Sequence, residues 1–205
     1  MLDGILRRHI DPPLNYVGRW LAACGVSANT VTLAGLLLGL SAAAMIAVGM
    51  PQWALLPLVT SRLADGLDGA VARATHRTDF GGYLDITCDF LFYGAVPMGF
   101  ILLNPATNSL AGAFLLLAFY VNGASFLGFA ILAERRKLDT NPRGLKNLYY
   151  SGGLLEGSET IGFFIVICAL PSLFTPISMG FAVLCFLTAA LRTLRAYDTV
   201  GKSVR

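Results

Sequence analysis

The chain has 205 residues and a formal net charge of +3, and 56% of its residues are hydrophobic while only 13% are charged. Soluble domains carry about 25% charged residues, so this composition argues against a soluble globular protein and for a membrane protein. Lys, Arg, Asp and Glu are absent from three long segments, 20–61, 90–133 and 160–191.

Residues 1–25 form the first predicted element. Leu2, Ile5 and Leu6 recur at helical spacing beside basic residues, a pattern typical of an amphipathic helix that lies in the membrane interface. We predict such a helix on the cytosolic side, interrupted at Pro12-Pro13. The alternative is a positively charged tail that only fixes the membrane orientation.

Residues 26–205 form one predicted transmembrane catalytic domain. A bilayer core needs about 20 apolar residues per helix, so each uncharged segment is long enough for more than one span. Prolines near positions 51, 105, 171 and 176 divide these segments. We therefore predict an all-α membrane protein with six transmembrane helices, at approximately 28–49, 52–75, 80–103, 109–133, 150–170 and 176–197.

The basic residues predict the orientation of these helices. Lys and Arg are retained on the cytosolic side of a membrane when they flank short loops. All fifteen fit one arrangement, with Arg62 and Arg73 in the cytosolic half of the second span. We expect both termini and the active site to face the cytosol, in what we predict to be a prokaryotic cytoplasmic membrane.

Four aspartates lie inside two neighbouring spans: Asp65 and Asp68 in the second, Asp85 and Asp89 in the third. Spacings of three and four residues place each pair on one helix face. At 1.5 Å per residue, all four lie roughly 12 to 18 Å from the turn that joins the helices. Each buried carboxylate opposes insertion by about 2.5 to 3.5 kcal/mol. The pattern therefore predicts a site for hard divalent cations, Mg²⁺ or Mn²⁺.

Two other interpretations of the aspartates stay open at this point. They could form a buried charge network that only fixes helix packing, although intramembrane carboxylates are usually functional. They could also form the relay of a proton- or ion-coupled membrane transporter. A chemical reaction that depends on a divalent cation would indicate an enzyme, whereas ion flux into vesicles would indicate a transporter.

The two aspartate pairs belong to a longer motif, Asp65-x-x-Asp68-Gly69-x-x-Ala72-Arg73 followed by Gly81-x-x-x-Asp85-x-x-x-Asp89. This motif resembles the signature of the CDP-alcohol phosphatidyltransferases. One feature departs from the family pattern, because seven residues instead of eight separate Arg73 from Gly81. These residues fall in the turn between the helices, so we expect a shorter turn and an intact metal site.

The resemblance implies an enzyme that moves a phosphatidyl group from CDP-diacylglycerol to a hydroxyl acceptor and releases CMP. It implies a two-metal site of Asp65, Asp68, Asp85 and Asp89, with Asp89 also the catalytic general base. It further implies a homodimer, membrane lipids as partners and no nucleic-acid partner. The implied nucleotide-binding residues are Asp65, Gly69, Ala72 and Arg73.

Three basic residues are candidates for the acceptor site. Lys146, Arg192 and Arg195 could hold an acceptor phosphate, or they could be topological anchors and contacts with anionic lipid. The first-choice acceptor is glycerol 3-phosphate, followed by inositol phosphate. Asn29 and Thr32 could touch the donor, or Asn29 could cap the first span, and we favour the cap.

Overall fold

The computed structural model of the chain describes residues 3–135, 155 and 157–198. Within these ranges every regular element is helical and no strand occurs, which confirms the predicted all-α class. The α-helices are α1 Asp3–Ala23, α2 Ala28–Ala47, α3 Leu55–Ala74, α4 Asp79–Leu103, α5 Pro105–Arg135, α6 Gly157–Ala169 and α7 Phe174–Ala196, with a 3-10 turn at Pro171–Leu173 before α7.

Four helical segments are long and apolar enough to cross a bilayer: Ala28–Ala47, Asp79–Leu103, Pro105–Arg135 and Pro171–Ala196. They coincide with four of the six predicted spans. The other two spans stay predictions, for different reasons. Helix α6 has 13 residues in the described part of the chain. Helix α3 is 20 residues long, but its mean hydropathy is lowered by the charged residues Arg62, Asp65, Asp68 and Arg73.

Helix α1 packs along α3, and its course differs from the prediction. The helix continues through Pro12 and Pro13, where we expected an interruption. A proline removes one backbone hydrogen bond from a helix interior, but here the packing on α3 opposes that local preference. At Gly18 an added Cβ would lie 2.7 Å from the Cβ of Ala70, so the two helices approach closely. The interfacial position of this segment stays a prediction.

Small residues also bring α2 against α3 and α4. Gly35 faces α3, and its carbonyl oxygen accepts a hydrogen bond of 2.7 Å from the hydroxyl of Ser61. Gly99 of α4 faces the backbone of Ala43, where an added Cβ would lie 2.6 Å from the carbonyl oxygen. These approaches place the N-terminal half of α2 beside the aspartates of α3 and α4.

Gly99→Ala should destabilise the protein by about 1–3 kcal/mol, because the added methyl group overpacks a contact with rigid backbone. Gly94→Ala is the matched control on the same helix, since no atom lies within 4 Å of a Cβ added there. The measurement is the thermal unfolding midpoint of each purified variant in detergent. We expect Gly99→Ala to lower the midpoint and Gly94→Ala to leave it unchanged or raise it. Equal midpoints for the two variants would contradict this packing.

Aromatic rings join the first helices to the last ones. Phe100 of α4 stacks on Phe174 at the start of α7, with ring centroids 4.6 Å apart. Phe92 of α4 meets Phe164 of α6 edge to face at 5.7 Å. All four rings are fully buried. This core fixes α4, the helix that carries two of the aspartates, against the C-terminal half of the bundle.

Candidate active site

A tight turn between α3 and α4 positions the two aspartate pairs. Helix α3 ends at Ala74 and α4 begins at Asp79. Thr78 caps α4, and its hydroxyl accepts a hydrogen bond of 3.0 Å from the amide of Gly81. The shorter spacing noted in the sequence therefore falls around this turn, and carboxylates of α3 and α4 still converge farther along the two helices.

Three of the four aspartates converge. Asp65 and Asp68 of α3 and Asp85 of α4 each offer one carboxylate oxygen, and these oxygens lie within 4.8 Å of one another. Mg²⁺ binds oxygen ligands at about 2.0–2.1 Å, so small side-chain rotations would let one ion contact all three. A set of carboxylate oxygens without sulfur or nitrogen suits Mg²⁺ or Mn²⁺. The residues present therefore fit a divalent cation.

Thr32 of α2 supports this cluster. Its hydroxyl donates a hydrogen bond of 2.5 Å to Oδ2 of Asp68, and both residues are buried. Thr32 therefore contacts the candidate metal site, and hydrogen bonds of this kind orient metal ligands. The cap assigned to Asn29 was wrong, because Ser27 caps α2 by accepting from the amide of Thr30. Asn29 instead lies beside Gly81 of α4.

Asp89 is not one of the three grouped carboxylates, and it pairs with Arg62 beside them. Nη1 of Arg62 lies 2.7 Å from Oδ1 of Asp89 and 3.8 Å from Oδ1 of Asp65. The guanidinium stacks over the ring of Phe92, 3.8 Å from its centroid. From the sequence, the position of Arg62 predicted only the membrane orientation. A usable signal was present, because Arg62 precedes Asp65 by three residues and so shares its helix face.

A cleft of about 480 Å³ opens next to the three carboxylates. Asp68 and Asp85 lie at its wall together with Gly69 and Ala72, which leave space. The wall also includes the N-terminal residues of α2 and the turn before α4: Ser27, Ala28, Asn29, Thr75, His76, Arg77 and Thr78. The cleft is large enough for a small-molecule ligand, because such sites measure about 300–1,000 Å³.

The sequence-predicted nucleotide residues divide between two places. Gly69, Ala72 and Arg73 line the cleft. Asp65 instead lines a smaller adjoining pocket together with Asp89. In the cleft, Nε and Nη2 of Arg73 donate hydrogen bonds of 3.2 and 2.9 Å to the side-chain oxygen of Asn15 in α1.

The residues suggested for the acceptor have different environments. Arg192 is buried between α7 and α5, where Nη1 donates to the side chains of Asn122 and Ser125 at 3.0 and 2.7 Å. Arg195 is exposed in the last turn of α7. Lys146 lies outside the described residues. The structure thus gives Arg192 a role in holding α7 on α5.

Comparison with known proteins identifies one relative over nearly the whole chain and another over about half of it. The profile of the CDP-alcohol phosphatidyltransferase family matches residues 25–194. The inner membrane protein YnjF of Escherichia coli K12 is 44% identical over 200 residues, which cover 98% of this chain and 97% of that protein. Archaetidylinositol phosphate synthase of Pyrococcus horikoshii is 35% identical over 98 residues, which cover 47% of this chain and 52% of that protein.

Solved structures share the fold. Phosphatidylinositol phosphate synthase of Mycobacterium tuberculosis, PgsA1, with CDP-DAG bound superposes with a TM-score of 0.72 at 22% identity, covering 90% of this chain and 93% of that one. The same synthase in complex with manganese and citrate gives a TM-score of 0.69 at 22% identity, covering 90% and 88%. At this identity the likeness concerns the fold of the two chains.

Proposed function

The chain belongs to the CDP-alcohol phosphatidyltransferase family, and we propose that it transfers a phosphatidyl group from CDP-diacylglycerol to the hydroxyl of a small acceptor. Membership makes the chain a phosphotransferase of phospholipid biosynthesis rather than the transporter considered above. Its apolar helices and its inner membrane relative make it an integral membrane protein. The observation that carries the proposal is the convergence of Asp65, Asp68 and Asp85 at the wall of a ligand-sized cleft.

We assign Asp65, Asp68 and Asp85 to a divalent cation, and we place Asp89 at a second one, as the motif implies. When bound, the cations supply positive charge against the diphosphate of the donor and the leaving CMP. In the reaction the acceptor oxygen forms a bond to the β-phosphorus of the donor, and the bond from that phosphorus to the oxygen of CMP breaks. Asp89 takes the proton of the acceptor hydroxyl, the role of a general base.

The cleft is our candidate for the cytidine diphosphate part of the donor. Gly69 and Ala72 leave space on α3, and Arg73 lies at the same wall. We infer that Arg73 exchanges Asn15 for a donor phosphate oxygen, because a guanidinium binds phosphate more strongly than it binds a neutral amide oxygen. The CDP-DAG bound to the mycobacterial synthase supports a donor of this class.

The basic residues and two archaeal relatives indicate the chemical class of the acceptor. Glycerol 3-phosphate was the first choice from the basic residues, and inositol phosphate was the second. The names of two archaeal relatives, both archaetidylinositol phosphate synthases, favour inositol phosphate, although they match about half of this chain. We therefore propose a phosphorylated polyol acceptor and treat both compounds as candidates.

The membrane arrangement completes the proposal. We place α3 as the second span and α6 as the fifth, with both termini and the cleft on the cytosolic side and α1 in the interface. A homodimer is the assembly that the family resemblance implies. The distribution of Lys and Arg supports this orientation. Arg19 near the end of α1 and Arg135 at the end of α5 are exposed at the same end of the bundle as the turn at 75–78.

A panel of acceptors tests the proposal. Purified protein in mixed micelles receives CDP-diacylglycerol, Mg²⁺ and either glycerol 3-phosphate, inositol phosphate, inositol or serine. We expect CMP release and formation of a new phospholipid with one of the two phosphorylated polyols, glycerol 3-phosphate or inositol phosphate. Absence of CMP release with every acceptor, from protein that binds Mn²⁺ and is monodisperse, would reject the proposed donor chemistry.

Arg195→Ala should raise the KM for the phosphorylated acceptor by about tenfold or more and leave the KM for the donor nearly unchanged. The reason is the loss of a charge-assisted hydrogen bond, worth about 1.5–3 kcal/mol. Arg135→Ala is the matched control, because Arg135 is also exposed in the last turn of a helix. An unchanged acceptor KM in Arg195→Ala would remove Arg195 from the acceptor site.

A further inference from the structure

Arg62 is a buried cation inside the aspartate cluster. Its side chain is 8% exposed, and it pairs with Asp89 at 2.7 Å and with Asp65 at 3.8 Å. Nη2 donates to the hydroxyl of Ser61, and the guanidinium lies over Phe92. The side chain is thus held on three sides, and its charge faces the carboxylates. It gives the four aspartates one built-in positive charge.

The guanidinium is not saturated with hydrogen bonds. Arginine offers five N–H donors, yet Nε of Arg62 is buried and has no hydrogen-bond partner among the described residues. Burying such a group without a partner costs about 1–3 kcal/mol. Attraction to Asp89 and Asp65 therefore favours this buried position of the guanidinium. A cation that neutralises these carboxylates would weaken that attraction.

Arg62 and a divalent cation would compete for Asp89. Both Arg62 and Asp89 line the small pocket beside the cleft, which offers about 10 Å³. That volume is about one water molecule, whereas Mg²⁺ usually retains several waters. A cation at Asp89 must therefore displace the guanidinium or bind against its charge. At the three-carboxylate site Arg62 is farther away, at 3.8 Å from Asp65 against 2.7 Å from Asp89. The neighbour of Asp68 there is the hydroxyl of Thr32, which carries no charge.

We propose that Arg62 is a resident cation that holds Asp89 in the donor-free enzyme, so that the two cation sites have unequal affinities. The site formed by Asp65, Asp68 and Asp85 fills first, and a cation at Asp89 binds more weakly. The negative diphosphate of a bound donor would favour the second cation by offsetting the charge of Arg62. The inference rests on the cation-binding part of the proposed function and does not depend on the acceptor.

Mn²⁺ titration of the purified, donor-free protein tests this inference, with the EPR signal of the free ion as the readout. We expect one tight site and a second site that is weaker by about tenfold, within the range typical of coupling between two sites. In Arg62→Met, which keeps a similar apolar stem, the second site should tighten and the two affinities should converge. Arg62→Lys should keep the inequality, as should the charge-matched control Arg135→Met at an exposed position.

Two equal sites in the wild-type chain, or an unchanged affinity ratio in Arg62→Met, would overturn the proposal. If Arg62→Met does not purify as a monodisperse protein, Asp89→Asn provides the second variant. It should lose the weak site and keep the tight one, and loss of the tight site would count against the proposal. Because the readout is Mn²⁺ binding, unequal sites in a chain without transferase activity would reject the proposed reaction and support this inference.

Discussion

We expect Asp68→Asn to reduce kcat/KM for phosphatidyl transfer by about 10³-fold. The amide keeps the size of the side chain and can still accept the hydrogen bond from Thr32, but it removes a negatively charged ligand. Charge stabilisation by a bound cation is worth several kcal/mol, and each 1.36 kcal/mol corresponds to a factor of ten in rate. The measurement is kcat/KM for CMP release, together with Mn²⁺ affinity.

Asp79→Asn is the matched control for this variant. Asp79 lies in the first turn of α4, is exposed and is not among the converging carboxylates. We expect activity close to that of the wild type. If Asp68→Asn retained wild-type Mn²⁺ affinity and activity, the three-carboxylate cation site would be wrong, whatever the effect of the control.

Asp89→Asn should lower kcat by about 10²–10⁴-fold and leave the affinity for the CDP-linked donor largely intact. A general base contributes this much to a proton transfer, and an amide cannot accept the proton of the acceptor hydroxyl. Asp89 lies outside the three-carboxylate group and does not line the larger cleft. The measurement combines single-turnover rates with equilibrium binding of the donor.

The comparison of the two readouts separates the possible roles of Asp89. A large loss of kcat with retained donor binding supports a role of Asp89 in the chemical step, as base or as ligand of the second cation, whereas an equal loss in both would show that Asp89 acts in ground-state binding. An unchanged kcat would remove the base assignment. Asp89→Glu should recover little activity, because the added methylene displaces the carboxylate, and a misplacement of about 1 Å can cost about 10²-fold in rate.

The sequence predicted the site through spacing along helices. Asp65 and Asp68 lie three apart, Asp85 and Asp89 lie four apart, and the short turn makes α3 and α4 antiparallel. These relations hold for any regular helix pair, so the convergence followed without knowledge of the rest of the chain. The apolar segments likewise predicted the all-α class and six membrane-crossing helices, four of which match described helices long and apolar enough to cross a bilayer.

What the sequence missed depends on contacts between distant segments. Arg62 reaches Asp89 across 27 positions, and Thr32 reaches Asp68 across 36. Neither distance follows from helical periodicity. The continuous α1 is a similar case, because the local preference of Pro12 and Pro13 is opposed by packing on α3. A basic residue near the end of a membrane helix, such as Arg195, gives the same sequence pattern whether it binds phosphate or fixes the membrane orientation.

Anomalous diffraction from crystals of the protein with Mn²⁺ tests the claim on which both the site and the proposed reaction depend. That claim is that carboxylates from α3 and α4 share a divalent cation. We predict an anomalous peak within coordination distance of carboxylate oxygens from Asp65, Asp68 and Asp85. A peak elsewhere, with these three side chains uncoordinated in protein that is active with Mn²⁺, would contradict the account.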